Sequence, residues 1–345
     1  VLAVDGPAIL DWERVVEGIA RALSEVGRAV VGVDLREHLA PWEKVVALTD
    51  SPALPDDPHF ATLATCRLAD LIERLPSVAA PPDGVAVVFG PGAALVHHDV
   101  LWYADLPKRY AEAAVGDGTA RNLGQRVGAG TTKRLFYIDW PILDRHRDEI
   151  AEGIDRWIDT QHPDRPCSLD GAALRRTIAE LATRPFRTRP TFNTAPWGGR
   201  WGRDTLGFSS DARSDPPNTA VGYELIAPES GVLLGDDPEV CVEVPFQLLV
   251  AAHPVRILGA EVHAEFGTSF PIRFDYLDTV GGGSLSVHCH PRSDYMRKVF
   301  GWPYTQHETY YILVGGENGK VFLGLKDAVD LAEFRARAHA ADHDG

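Results

Sequence analysis

The residues best suited to chemistry lie in two short stretches near the end of the chain. The stretch LSVHCHP occupies residues 285–291, and TQHETYY occupies residues 305–311. If the first stretch is a strand, His288 and His290 point to the same face of a sheet, because side chains alternate along a strand. Two imidazoles on one face are suited to bind one metal ion. The other interpretation is an exposed strand with two incidental histidines.

A third metal ligand is available a short distance along the chain. Glu308 opens the apolar run YYILV at residues 310–314, which we expect to form a strand beside the histidines. Imidazole nitrogens and a carboxylate suit zinc or another divalent first-row metal. The pattern therefore predicts a metal site formed by His288, His290 and Glu308.

Composition limits the classes of protein to which the chain can belong. Its 345 residues predict two domains, and its net charge of −15 argues against nucleic acid as a partner. No stretch approaches the roughly 18 apolar residues that a membrane span needs. The four cysteines have no C-x-x-C spacing, so we expect a reduced, cytoplasmic protein without a disulfide framework.

The first 185 residues alternate between strand and helix patterns. Continuous apolar strands separated by helices are typical of a parallel sheet that is covered on both faces. The predicted strands are residues 1–4, 29–33, 84–90 and 100–104. The predicted helices are residues 11–26, 63–75, 148–160 and 171–183.

This first domain, residues 1–185, resembles the P-loop nucleoside kinases of the uridine-kinase type. The resemblance rests on a strand-DG-loop-helix start, on the FGPG turn at 89–92, and on the segments DLPKRY at 105–110 and YIDW at 137–140. A phosphate-binding loop needs G-x-x-x-x-G-K-[ST]. Here the loop reads GPAILDW, Asp11 has the wrong sign for phosphate, and the first lysine is Lys44. We expect a degenerate, non-catalytic domain; the alternative is a domain that binds a neutral nucleoside or a partner protein.

From residue 190 to residue 345 the pattern changes to short strands separated by Gly and Pro, after a boundary near RPFRTRP at 184–190. This spacing predicts a mainly β, cupin-like domain. The predicted strands are residues 221–227, 231–235, 239–244, 255–263, 272–277, 284–289, 309–314 and 320–324, and a helix is predicted at 326–341.

The second domain resembles the class I mannose-6-phosphate isomerases. Five motifs stand in the family's order: PWGGR at 196–200, GYEL at 222–225, FPIRFDYLD at 270–278, LSVHCHP at 285–291 and ETYYIL at 308–313. The resemblance implies interconversion of mannose 6-phosphate and fructose 6-phosphate. It also implies that His290 and Glu308 bind zinc, with His288 at the position of a ligand Gln.

The same resemblance implies the surroundings of the sugar phosphate. Trp197 and Ser286 would lie near the phosphorylated hexose, and Gln306 stands where the family has a Lys. A divalent metal polarises the carbonyl of the open-chain sugar and stabilises the enediolate. A side chain must then move a proton between C2 and C1. His307 is the candidate, although alternation along a strand would point it away from Glu308.

The chain also departs from the isomerase pattern. Asp275 replaces a usual Lys, Gln306 carries no charge, and the strand that carries a fourth ligand His is absent before Gly345. We therefore expect a piece of a longer enzyme. The non-enzyme alternative is a sugar-phosphate or metabolite sensor with a vestigial metal site.

A second interpretation uses the same histidines. The spacing from Gly282 through His288 and His290 to Asp294 and Gly301 matches the first motif of metal-binding cupins at large, with Asp294 in place of their Glu. Asp294 rather than Glu308 would then be the third ligand. The PWGGR and FPIRFDYLD segments favour the isomerase interpretation.

Overall fold

The first half of the chain forms one mixed sheet in the computed structural model, which describes residues 1–51, 53–208, 216–237, 240–316, 318–326 and 328–344. The sheet has six strands in the order β2-β3-β1-β4-β5-β6. Strands β1 to β5 are parallel and β6 is antiparallel to β5. The strands are β1 Leu2–Asp5, β2 Ala29–Asp34, β3 Gly84–Phe89, β4 Val100–Asp105, β5 Arg156–Asp159 and β6 Cys167–Asp170.

Helices connect the parallel strands and cover the sheet. They are α1 Trp12–Glu25, α2 Trp42–Thr49, α3 Lys108–Gly116, α4 Thr132–Arg134, α5 Trp140–Ile150 and α6 Gly171–Leu181. The alternation within β1 separates its two sides: Val4 packs in a cluster with Trp12 of α1, and Ala3 packs in a cluster with Trp157 of β5. The strands and the helices at 11–26 and 171–183 that the sequence predicts are confirmed.

Two predicted helices in this half are wrong. The helix predicted at 148–160 is instead the end of α5, a turn and strand β5. Its apolar residues Ile154 and Trp157 are buried, but they reach the core from a turn and a strand. In the segment 63–75 only a short 3-10 turn, Leu68–Leu71, is helical.

The second half of the larger unit contributes a small sheet and a hairpin. The sheet has the order β11-β8-β7, and β9 pairs with β10. These strands are β7 Phe192–Asn193, β8 Val221–Leu225, β9 Gly231–Asp237, β10 Val240–Pro245 and β11 Phe274–Leu277. The helices are α7 Trp201–Leu206, α8 Phe246–Ala252, α9 Pro254–Leu258, α10 Ala260–Phe266 and α11 Ser293–Tyr295.

The hairpin completes the core of the first half. Val242 and Val244 of β10 are buried in the same cluster as Trp157 and Leu174. Both Glu243 carboxyl oxygens accept hydrogen bonds from the Arg109 guanidinium, at 2.7 and 2.8 Å. A bidentate pair of this kind is among the strongest ion pairs in proteins, so it fixes the hairpin beside β5.

The strand predictions of the second half have mixed outcomes. Those at 221–227, 231–235 and 272–277 are confirmed, as is 239–244 apart from Glu239, which lies outside the described residues. The strand predicted at 255–263 is wrong, because α9 and α10 occupy it on either side of Gly259. The backbone at 284–289 forms no strand, so that prediction is wrong as well.

The chain divides into two compact units, Val1–His307 and Glu308–Gly345. Within the described part of the second unit, the segments 309–314 and 320–324 form no strand, against prediction. Its helix α12 spans Leu331–Asp344 and overlaps the predicted helix. The domain boundary at 185–190 and the cupin-like barrel stay predictions.

Candidate functional site

A cavity of about 50 Å³ lies where β1 and β4 end. In open α/β sheets the carboxyl ends of the strands are the usual place for a ligand. Polar groups enter this cavity from several elements, and apolar side chains close its walls. The charged lining residues are Asp105, Lys108, Arg121, Asp139, Asp144, Arg147, Glu229 and Glu243.

Asp105 is the last residue of β4 and is 6% exposed. Among the described residues, no hydrogen bond or ion pair to its carboxyl oxygens is found. Burial raises the pKa of this carboxyl to about 7, against the opposing effect of the Arg147 guanidinium. An unpaired buried carboxyl is costly, because burial in a medium of low dielectric constant disfavours its charged form.

Asp139 supplies a second buried carboxyl, just before α5. Its Oδ2 accepts hydrogen bonds from Asn122 Nδ2 at 2.8 Å and from the Leu123 backbone N–H at 3.1 Å. Its Oδ1 is buried and has no partner in the described part of the chain. Burial raises its pKa to about 6, although the Asn122 hydrogen bond acts in the opposite direction.

Two cations of the lining, Lys108 and Arg147, are engaged by other carboxylates. The Lys108 ammonium donates to Asp144 and lies 4.8 Å from the centre of the Trp140 ring. Arg147 donates to Asp144 at 2.9 Å and to Asp148 at 2.7 Å. These pairs leave the Asp105 carboxyl without an ion-pair partner.

A larger cleft, of about 1450 Å³, adjoins the cavity within the first unit. Lys108, Trp140 and Glu229 line both spaces. The pKa of the Glu229 carboxyl is raised to about 7, mainly by burial and also by the Glu224 and Glu112 carboxylates, against the opposing effect of the Lys108 ammonium. The cavity is thus a recess with acidic groups at its base and at its mouth.

The loop after β1 is closed against phosphate. Trp12 is fully buried, and its indole N–H donates to the Pro7 carbonyl at 3.2 Å. Asp11 accepts from the Arg14 backbone N–H at the start of α1. A carboxylate at a helix N-terminus accepts the hydrogen bonds that a bound anion would accept. Its negative charge also repels an anion from that position.

Below this loop lies a buried Asp–His pair. The His146 Nε2–H donates to Asp5 Oδ2 at 2.9 Å. Asp5 also accepts from the backbone N–H groups of Gly6, Gly92 and Ala94. Both side chains are buried, and the pair joins β1, the turn after β3 and α5.

The PWGGR segment packs on the FPIRFDYLD segment, as neighbours in one site would. The Gly202 backbone N–H donates to Asp278 Oδ2 at 2.7 Å, and the Gly199 N–H donates to the Asp278 carbonyl at 2.6 Å. A Cβ on Gly199 would lie 2.4 Å from Asp278 Oδ1, so only glycine fits there. Trp197 is half-buried, and its carbonyl accepts from the Gly283 N–H at 2.8 Å.

The predicted metal ligands His288 and His290 face one another on irregular backbone. Their ring centroids are 6.5 Å apart. Two imidazoles on one tetrahedral zinc would have centroids about 5 Å apart, given a Zn–N distance of about 2.1 Å. The observed separation is about 1.5 Å larger, and the ring planes are inclined by 74°. Ser286 Oγ lies 3.5 Å from His288 Nε2, and His290 Nδ1 lies 3.2 Å from the Gln306 carbonyl.

Each of the other predicted catalytic and ligand residues has its own surroundings. His307 is exposed and ends the first unit, whereas Glu308 begins the second. Glu308 Oε2 accepts from the Tyr310 hydroxyl at 3.2 Å. Asp294, the alternative ligand, is exposed in α11. Over the described ranges, no three His, Cys, Asp or Glu side chains are grouped as a metal site, and the ligand set of His288, His290 and Glu308 stays a prediction.

Sequence reasoning missed Asp105 and Asp139 as site residues. Asp105 and Asp139 entered only as members of the kinase-like segments DLPKRY and YIDW. A usable signal was present, because Asp105 directly follows a continuous apolar strand, and strand ends of this kind meet at the ligand-binding edge of a parallel sheet.

Comparison with known proteins gives one match. The sequence model of the family described as "Domain of unknown function (DUF8485)" matches residues 1–183. No curated protein matches the chain, and no solved structure matches it. Among the described residues, no helix combines the length and the apolar character needed to cross a membrane.

Proposed function

The chain belongs to the DUF8485 family, and we propose that it is a metal-dependent aldose–ketose isomerase that acts on a phosphorylated hexose. The observation that carries this proposal is the pair of neighbouring imidazoles, His288 and His290, within a series of isomerase-like motifs. The hydrogen bond from the Gly199 N–H of the PWGGR segment to the Asp278 carbonyl supports it further, because two of those motifs meet in space.

Each residue of the proposed site has one role. His288, His290 and Glu308 would hold zinc or another divalent metal, which supplies polarisation of the sugar carbonyl. His307 would accept the proton at C2 and return it at C1. The sugar phosphate would be bound by Trp197, Ser286 and Gln306. We also propose a cytoplasmic protein, because the spacing of the four cysteines offers no disulfide framework.

The test is an isomerase assay on the chain after zinc loading, with mannose 6-phosphate as the substrate. We expect turnover that a chelator removes and that His290→Ala lowers at least about 100-fold, since a ligand is lost. His162→Ala is the control, because His162 is exposed and distant in sequence. Turnover that survives both the chelator and His290→Ala would refute the proposal. Binding of sugar phosphate without turnover, in the metal-loaded protein, would favour the sensor.

A second function is favoured for the first domain: ligand binding without phosphoryl transfer. The strand order β2-β3-β1-β4-β5 brings the loop after β1 to the position that a phosphate-binding loop would need. Trp12 fills that loop from within, and Asp11 gives it a negative charge. Isothermal titration with ATP and Mg²⁺ is expected to give no binding. ATP turnover that depends on residues of this loop would contradict this function.

A further inference from the structure

We propose that the cavity at the end of β4 binds the ammonium group of a small organic ligand, and that the Asp105 carboxylate is its counter-ion. This inference deepens the binding role proposed for the first domain. It is independent of the proposed isomerase site, which involves other residues.

The first support is the state of Asp105 itself. Its side chain is more than nine-tenths buried, it lines the cavity, and the described residues give its carboxyl oxygens no partner. Buried carboxylates in proteins are paired with a cation or accept several hydrogen bonds. Asp5, only one strand away, shows how this chain satisfies a buried carboxylate when no ligand is involved.

The second support is the balance of charge around the cavity. Lys108 and Arg147 are paired with Asp144, and Glu243 is paired with Arg109. The carboxyls that remain face the cavity from different elements, namely Asp105, Asp139 and Glu229. The lining also includes the Arg121 guanidinium, whose Nε–H donates to the Gly128 carbonyl at 3.2 Å. The three carboxyls outnumber this cation, so a positively charged ligand would find counter-charges in place.

Size and wall chemistry define the ligand further. A cavity of about 50 Å³ holds a few water molecules, at roughly 10–15 Å³ each, or an ammonium group with one or two carbons. Its walls include Tyr103, Leu143 and Trp140. The chain already seats one ammonium group at this place, since Lys108 lies over Trp140. The rest of a longer amine would extend into the adjoining cleft.

The test compares two probes that differ in one group, 2-aminoethanol and ethylene glycol. Saturation-transfer NMR and calorimetric titration of the full chain are expected to detect 2-aminoethanol and to give at least about tenfold weaker binding for ethylene glycol. An ammonium–carboxylate hydrogen bond is worth more than a neutral one. Equal binding of the two probes would show a hydroxyl site and overturn the proposal, as would absence of binding by 2-aminoethanol.

Variants locate the probe. Asp105→Asn, which keeps the shape and removes the charge, is expected to weaken 2-aminoethanol binding at least about tenfold. Glu229→Gln at the mouth of the cavity is expected to weaken it about threefold, and it serves if Asp105→Asn does not fold. Glu17→Gln on the exposed face of α1 is the matched control. Binding that neither cavity variant weakens would overturn the assignment.

The pH dependence gives an independent readout. Binding should strengthen as pH rises through about 7, because Asp105 must lose its proton to pair with the ammonium group. The charged groups that act on this carboxyl are Arg147, Asp159, Glu243 and Asp144. Binding that weakens with rising pH over this range would overturn the role of Asp105. Binding of ATP would refute the function proposed for the first domain, whereas the 2-aminoethanol experiments decide on the cavity separately.

Discussion

His146 lies in the core with its Nε2 atom 2.9 Å from Asp5, whereas His288 is exposed on irregular backbone beside His290. The first histidine has a carboxylate partner that also accepts three backbone N–H groups. The second histidine, His288, is exposed, so its ring can be reached by a ligand. The difference shows that a histidine of this chain is structural where it is buried against a carboxylate and available to a ligand where it is exposed.

The largest effect is expected from the buried pair. Asp5→Ala would leave His146 and the Gly6, Gly92 and Ala94 N–H groups without their acceptor. We expect the free energy of unfolding to fall by about 3–5 kcal/mol, since one partner of a buried pair is removed. Urea denaturation followed by circular dichroism measures this loss. Asp11→Ala, which removes only a helix cap, is the control and should cost about 1 kcal/mol.

If Asp5→Ala lowered the free energy of unfolding by less than about 1 kcal/mol, the contrast between the buried and the exposed histidine would not hold. The buried pair would then not join the three elements that meet at Asp5.

The second effect concerns zinc. His290→Ala should lower zinc affinity at least about 100-fold, or about 2.7 kcal/mol, and change the free energy of unfolding of the metal-free protein by less than about 0.5 kcal/mol. His146→Ala should show the reverse pattern, with normal zinc affinity and a loss of about 2–3 kcal/mol in stability. Zinc titration calorimetry and urea denaturation give the two readings. Equal zinc affinity in all three proteins would mean that the exposed pair binds no metal.

The third prediction extends the comparison to two buried carboxyls, Asp5 with its hydrogen bonds and Asp105 without them. The pKa of Asp105 is about 7 in the folded protein and near 3.8 when exposed. The folded state therefore binds more protons between these values, and stability should fall as pH rises from about 4 to about 7. Asp105→Asn should remove this contribution, which is on the order of a few kcal/mol.

Chemical denaturation at a series of pH values measures the slope. Burial raises the pKa of Asp139 and Glu229 as well, so part of the slope should remain in the Asp105→Asn variant. An unchanged slope would contradict the assignment of a raised pKa to Asp105.

The smallest effect on stability is expected at the surface. His288→Ala should change the free energy of unfolding by less than about 0.5 kcal/mol, because few contacts are lost at an exposed position. Acylation by diethyl pyrocarbonate should modify His288 well before His146. Peptide mass spectrometry identifies the order, and early modification of His146 would show that its partner does not protect it.

The sequence correctly predicted the elements whose apolar residues fit only one periodicity, that of a helix or that of a strand. Strand β3 is a continuous apolar run, and Asp11 stands as an N-cap before the amphipathic helix α1. The prediction failed where apolar residues fit two periods. Ile150, Ile154 and Trp157 have helical spacing, but a turn after α5 places Trp157 on strand β5.

The two candidate sites also differ in how far the sequence alone could predict them. The histidine pair is local in sequence, so its members could be found by spacing alone. Asp105 and Asp139 are brought together by the strand order and by the packing of α5, which one sequence does not give. The strand predicted at 255–263 failed for a local reason: Gly259 has φ +83° and separates two short helices.

The Arg109–Glu243 pair has a consequence for synthesis of the chain on the ribosome. The sheet is complete in strands by residue 170, yet the core cluster that contains Trp157 and Leu174 is completed only by residues 227–250. During elongation the nascent sheet would therefore expose this apolar face until the hairpin has emerged. Chaperone binding should be strongest over that interval and should end once Glu243 has reached Arg109, because domains generally fold as units during synthesis.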